Sequence, residues 1–275
     1  MQTGLMKVRV GGYEIAYRRC GTGVPVLLVH GVASHSFLWV DIMQRLAGHY
    51  DLIATDLLGC GESEKPKDKD YSIDVQSDLL IELIENLGLN KVHLVGHDVG
   101  GGVVQLMAVK RPDLLIDLTM INPVGYDYWP VQPITTMRLP MIRTLTSSIM
   151  NRSMLKMVVR RAVFRKDLLT ESVMDKFWHP LETREGKEGF VQLIRCINNR
   201  LLTSITDKLR KIEVPTLILR GEADAYLSRK ITDDLAADIP RSKLKKFSKA
   251  GHFMQLDIPQ EISAELSDFF SENVA

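Results

Sequence analysis

The chain reads as an α/β protein: a mostly parallel sheet flanked by helices, with a helical lid inserted late in the chain. Three observations predict this. Short apolar runs alternate with longer helical stretches across residues 1–123, as a parallel sheet with crossover helices requires. Val92-His93-Leu94-Val95-Gly96-His97-Asp98-Val99-Gly100-Gly101-Gly102 passes from a buried strand through a glycine-flanked turn into a helix. The alternation then stops near Val124 and resumes only at Pro215.

In chain order, strands are expected over residues 13–17, 25–29, 51–54, 92–96 and 115–121, each a short run rich in aliphatic or aromatic residues. Helices are expected over 37–46, 73–87 and 101–110. Beyond the break come strands at 215–221 and 244–247 and a closing helix at 259–270. Residues 1–123 and 213–275 are therefore assigned to a core, and 124–212 to a lid above the C-terminal strand edges, where such sheets bind ligands. The lid carries 16 Lys or Arg against 8 Asp or Glu. This basic excess reads first as a solvated face; steering of an anionic substrate or contact with a membrane surface are the alternatives. Six of the twelve methionines (Met137, Met141, Met150, Met154, Met157, Met174) fall here. About half are expected to be lid packing, and the rest a pliable roof over a hydrophobic substrate.

The turn at Asp98 carries the chemistry. Gly96 and Gly100 permit a sharp, strained bend that exposes the residue between them. Such an elbow usually presents a serine; here it presents a carboxylate, which needs no base to become a nucleophile and suits displacement at a saturated carbon. The plain alternative is an Asp that only caps a helix. Asp224, just past the strand at 215–221, and His252, in the loop Ala250-Gly251-His252-Phe253, follow in the chain order nucleophile, acid, histidine. Asp224 is preferred to Glu222, Asp233 and Asp234 because it lies at the strand end, and Asn122, being uncharged, cannot serve as the acid. Upstream, His30-Gly31-Val32 ends another strand, so the backbone N–H groups of Val32 and Val99 are the expected oxyanion donors. His30 and His97 read as bracing groups, and His35, His93 and His179 share no metal-ligand spacing. Nothing near Cys60 suggests an activated thiolate.

With these residues in place the chain resembles the aspartate-nucleophile branch of the α/β-hydrolases, which holds epoxide hydrolases and haloalkane dehalogenases. The resemblance rests on His30-Gly31, residues 56–63, 96–101, Asp224 and Gly251-His252, with little from residues 123–213. It implies an eight-stranded sheet, an Asp98–His252–Asp224 triad, a covalent alkyl-enzyme ester, and no cofactor or metal. Diagnostic leaving-group residues of both activities are missing. Epoxide opening in that family draws a proton from paired lid tyrosines, and here only Tyr126 and Tyr128 lie in the lid, both at its start. Haloalkane dehalogenases usually carry a Trp directly after the nucleophile, where this chain has Val99, and Val32 replaces the alternative Asn. Trp129 and Trp178 are the remaining lid indoles, for which packing is the plainer role. The balance tips toward an epoxide hydrolase, with a dehalogenase as the alternative; an ester or lactone hydrolase, or a non-catalytic ligand binder, stays open.

Bulk properties bound the rest. A chain of 275 residues can bury one large core plus an insertion. A net charge of +1 without basic runs interleaved with aromatics argues against nucleic acid. Three scattered cysteines (Cys20, Cys60, Cys196) fit a reducing compartment. No apolar leader or spanning stretch is evident. The expectation is a cytoplasmic monomer or homodimer, not stably inserted in a membrane, acting on a small hydrophobic molecule and water.

Overall fold

The computed structural model describes residues 3–273 except 133, 138 and 140–149. Eight strands form one sheet: β1 (Gly4–Val10), β2 (Tyr13–Cys20), β3 (Val24–Val29), β4 (Tyr50–Thr55), β5 (Val92–Asp98), β6 (Leu115–Pro123), β7 (Thr216–Gly221) and β8 (Ser242–Phe247). Their spatial order is β1-β2-β4-β3-β5-β6-β7-β8. β1/β2 and β2/β4 pair antiparallel and all later neighbours pair parallel. This is the α/β-hydrolase fold with a mostly parallel eight-stranded sheet.

β1 lies outside the strands expected from the sequence. It is an edge strand, and Leu5 and Met6, adjacent and therefore on opposite faces, are both exposed. Met6, Val8 and Val10 alternate with Lys7 and Arg9, but only Val10 is buried, so this short run stands out less than the fully buried strands. The central strands β4 and β5 are buried along their whole length, which is why they stand out as apolar runs.

Helices cover both faces. α1 (Val40–Leu46), the short α11 (Met254–Asp257) and the C-terminal α12 (Pro259–Asn273) pack Ile42, Met43, Met254, Leu266 and Phe270 against one face. α2 (Ile73–Asn86), α3 (Val99–Lys110) and α10 (Arg229–Asp238) pack Leu80, Leu83, Val103 and Ile231 against the other. Ser72 caps α2 by accepting from the Val75 N–H, satisfying one of the donors a helix start leaves open.

Between β6 and β7 the described elements are helical. They include α4 (Ile134–Met137), α5 (Arg152–Ala162), α6 (Glu171–Trp178), α7 (Arg184–Cys196), α8 (Arg200–Thr203) and α9 (Thr206–Leu209). Their core joins Leu155, Val159, Met174 and Phe177 to Phe37, Leu38 and Phe253 of the sheet domain. Met174 and Met150 are buried packing residues, whereas Met154 and Met157 are exposed; Met141 lies outside the described residues.

Candidate active site

Asp98 is the last residue of β5, and α3 begins at the next position. Its backbone has φ 52° and ψ −119°, a conformation that costs a non-glycine residue about 1–3 kcal/mol and concentrates at functional sites. Two glycines make room for this bend. A Cβ on Gly100 would lie 2.4 Å from the His30 carbonyl oxygen, and one on Gly31 would lie 2.4 Å from the Asp98 Cβ. Neither position accepts a side chain, so the β3 loop can approach the carboxylate closely enough for a backbone hydrogen bond.

That bond is made by the Val32 N–H, which donates to Asp98 Oδ2 at 2.8 Å. Burial holds the Asp98 carboxyl above its ordinary range; the charge of His252 and the N–H groups of Val32 and Val99 pull it down without cancelling the burial. The N–H donors by themselves favour the ionised carboxylate. Desolvation outweighs them.

His252 Nδ1 lies 3.0 Å from Asp224 Oδ2. With Asp224 as acceptor, Nδ1 carries the hydrogen and Nε2 presents a lone pair. Burial pushes the imidazole pKa down, but the charge and hydrogen bond of Asp224, with the charge of Asp98, raise it above 6.5 overall. Asp224 Oδ1 also accepts from the N–H groups of Tyr226 and Leu227 at 2.8 and 3.1 Å. Burial raises the Asp224 carboxyl, yet His252 and Arg220 outweigh it and hold it below the ordinary range.

Two residues that sequence reasoning missed stabilise this pair. Arg220, buried on β7, donates to Asp224 Oδ2 at 3.3 Å and to the Leu227 carbonyl at 2.7 Å. Its signal was a lone arginine in an otherwise apolar strand. Asn122, set aside as an acid, instead donates to the carbonyls of Gly251 and His252 at 2.9 and 3.0 Å and accepts from the Gly221 N–H at 3.0 Å. It joins the end of β6 to the loops carrying both Asp224 and His252.

Asp98 and His252 line a cavity of about 390 Å³, together with Val32, Val99, Met154 and Phe253. The wall is almost wholly apolar. Trp129 is buried in it, and its indole Nε1–H has no partner among the described residues. The other lid candidates lie elsewhere. Tyr126 and Tyr128 donate their hydroxyls to Asp238 and Asp234 on α10 at 2.9 and 3.0 Å, so neither contributes to the cavity wall. Trp178 lies outside it as well, with the Lys187 ammonium over its ring at 5.3 Å. Tyr226, just past Asp224, does line the cavity. Its ring centre is 5.7 Å from that of His252, and its hydroxyl donates to the Val158 carbonyl at 2.9 Å.

Two further histidines near the site brace loops. His30 sits with Nδ1 2.8 Å from the Gly31 carbonyl and accepts from the Leu57 N–H through Nε2 at 3.0 Å. This is a neutral ring, and burial pushes its pKa down to about 4. His97 Nε2 donates to the His252 carbonyl at 3.0 Å, while its Nδ1 has no partner among the described residues. Among those residues no group of three or more His, Cys, Asp or Glu is arranged to hold a metal, and no helix is long and apolar enough to cross a membrane.

Residues 24–259 match the alpha/beta hydrolase fold family. The chain is 28% identical over 277 aligned residues to haloalkane dehalogenase 2 of Mycobacterium tuberculosis, covering 94% of this chain and 91% of that one. It is 26% identical over 275 residues to monoacylglycerol lipase abhd6-A of Xenopus laevis, covering 95% and 80%. Among solved structures, haloalkane dehalogenase DbeA of Bradyrhizobium elkani superposes with a TM-score of 0.87 at 25% identity over 98% of both chains.

Proposed function

We propose that this chain, which belongs to the alpha/beta hydrolase fold family, hydrolyses small apolar molecules at a saturated carbon through an ester formed with Asp98. The observation that carries this reading is a carboxylate, not a hydroxyl, at the elbow beneath an apolar cavity that it shares with His252. Residues 124–212 act as the cap of that cavity, and 1–123 with 213–275 as the hydrolase core.

Val32 holds Asp98 Oδ2, leaving Oδ1 as the attacking atom. A new C–O bond forms as the bond to the leaving group breaks, and the electron pair departs with that group. In the second half His252 Nε2 takes a proton from water, and the hydroxide attacks the ester carbonyl of Asp98. The N–H groups of Val32 and Val99 stabilise the resulting oxyanion, each worth about 3–4 kcal/mol in comparable sites. Collapse releases an alcohol, and one oxygen of the water stays in the Asp98 carboxylate. His252 is not needed for the first half.

The leaving group is a halide. A departing halide needs no proton, so the almost wholly apolar cavity, which offers no free acid beside Asp98, suits it. The similarity to haloalkane dehalogenase 2 supports this choice. An epoxide, favoured on sequence, would release an alkoxide that must be protonated, and the hydroxyls of Tyr126 and Tyr128 are committed to Asp238 and Asp234. One observation keeps the epoxide as a second reading: the Tyr226 phenol reaches the cavity, although its proton goes to Val158.

A panel of bromoalkanes, aryl epoxides and activated esters separates these chemistries. Bromide release is the expected activity. Diol formation abolished by Tyr226→Phe would establish the second reading instead. Turnover of esters alone would remove both.

A further inference from the structure

We propose that the outer face of α5 docks reversibly on an anionic lipid surface, so that apolar substrate passes from the bilayer into the cavity. The helix buries Leu155, Val159 and Ala162 and turns Met154, Met157, Arg160 and Arg161 to solvent. Met157 is 67% exposed and Phe164, just past the helix end, is 44% exposed. Large exposed apolar side chains clustered in this way mark an interaction surface more often than chance exposure does.

Charge complementarity selects the partner. Arg160 and Arg161 have no carboxylate partner among the described residues, and the Arg161 guanidinium instead sits 5.4 Å over the Tyr226 ring. Lys166 adds a third cation, its ammonium bonded only to the carbonyls of Arg160 and Val163. The carboxylates nearby in sequence are already paired: Asp167 with Arg165, Glu171 with Arg152 and Lys156, and Asp175 with Arg152. The face is therefore apolar at its centre and net positive around it, the pattern of a helix lying in a lipid interface.

Its position ties the surface to the cavity. Met154 and Met157 are exposed and also line the cavity above Asp98. An interfacial α5 would thus bring the apolar cavity wall to the layer where a hydrophobic substrate accumulates. No described helix crosses a membrane, so the contact is peripheral. The delivery role rests on the proposed apolar substrate; the docking itself does not.

Co-sedimentation of the full chain with two kinds of vesicle tests this. Binding is expected to phosphatidylcholine vesicles containing phosphatidylglycerol, to weaken as salt rises, and to be absent with phosphatidylcholine alone. Arg160→Glu is expected to lower the bound fraction at least about fivefold at low salt, with circular dichroism and bromide release unchanged because Arg160 does not line the cavity. Phe164→Ser supplies a second variant with the same expected loss. Equal binding to both vesicle types, unchanged binding of Arg160→Glu, or no vesicle binding accompanied by self-association in sedimentation velocity would overturn the proposal. Vesicle binding is measured without turnover, so its failure leaves the hydrolase reading intact, and a failed bromide assay leaves the docking result intact.

Discussion

Asp224 Oδ2 accepts from Arg220 at 3.3 Å and bonds His252 at 3.0 Å, so a permanent cation and a titrating one share an oxygen. Arg220 lowers the His252 pKa against the upward pull of Asp224 and Asp98. In the proposed mechanism His252 must be neutral to take a proton from water, so kcat is expected to fall as pH drops through its pKa, which is raised above 6.5. Arg220→Met removes the opposing charge, and the acidic limb of the kcat profile is expected to move to higher pH with Arg220→Lys restoring it. A limb that stays in place while activity falls would reduce Arg220 to a packing residue. At this scale the sequence exposed Asp98, Asp224 and His252 because each ends a strand or occupies a loop of fixed chain order. It could not rank Trp129 above Tyr126 and Tyr128, since which side chain faces a cavity depends on partners such as Asp234 and Asp238, over 100 positions away.

At the scale of elements, the helical insertion is bonded directly to the histidine loop. The His252 N–H donates to the Ala162 carbonyl at 2.6 Å, at the end of α5. Asp257 accepts from the N–H groups of Phe164, Arg165 and Gly251 at 2.8–3.0 Å. A single carboxylate thus holds both the helical insertion and the loop that carries His252. Asp257→Asn places an amide among these donors, and loosening of the loop is expected to lower kcat by up to about 100-fold with KM little changed. Loss of KM alone would mean the bond serves only the cap. The insertion was legible as helical and basic but not as a latch, because Asp257 and the segment 163–165 are joined only by folding. β1 was missed although Met6, Val8 and Val10 alternate with Lys7 and Arg9, because so short an alternation at a sheet edge stands out less than a continuous buried run.

Across the whole molecule, a buried polar pair lies at the end of the strands opposite Asp98. His93 and Asp117, at the starts of β5 and β6, form a 2.8 Å pair with both side chains fully buried. His93 stacks on Phe270 of α12 at 4.2 Å, so the pair joins the sheet to the C-terminal helix. Asp117→Ala leaves the His93 ring buried without its hydrogen-bond partner and is expected to cost about 1–3 kcal/mol in urea unfolding. Replacing both residues by leucine should recover most of that loss, since exchanging both partners of a buried hydrogen bond for apolar groups can be nearly neutral. A double variant no more stable than the single would contradict this account. The sheet itself was readable from its buried parallel strands, whereas this pair was not, because a His and an Asp 24 positions apart carry no periodic signal.

The claim on which the rest depends is that Asp98 bonds covalently to carbon and His252 acts only afterwards. Intact-mass analysis of His252→Gln incubated with a bromoalkane tests it directly. The expected result is one equivalent of bromide and a mass increase of one alkyl group, mapped by peptide fragmentation to Asp98. Unmodified His252→Gln protein under conditions where the native enzyme turns over, or an adduct on any other residue, would contradict it.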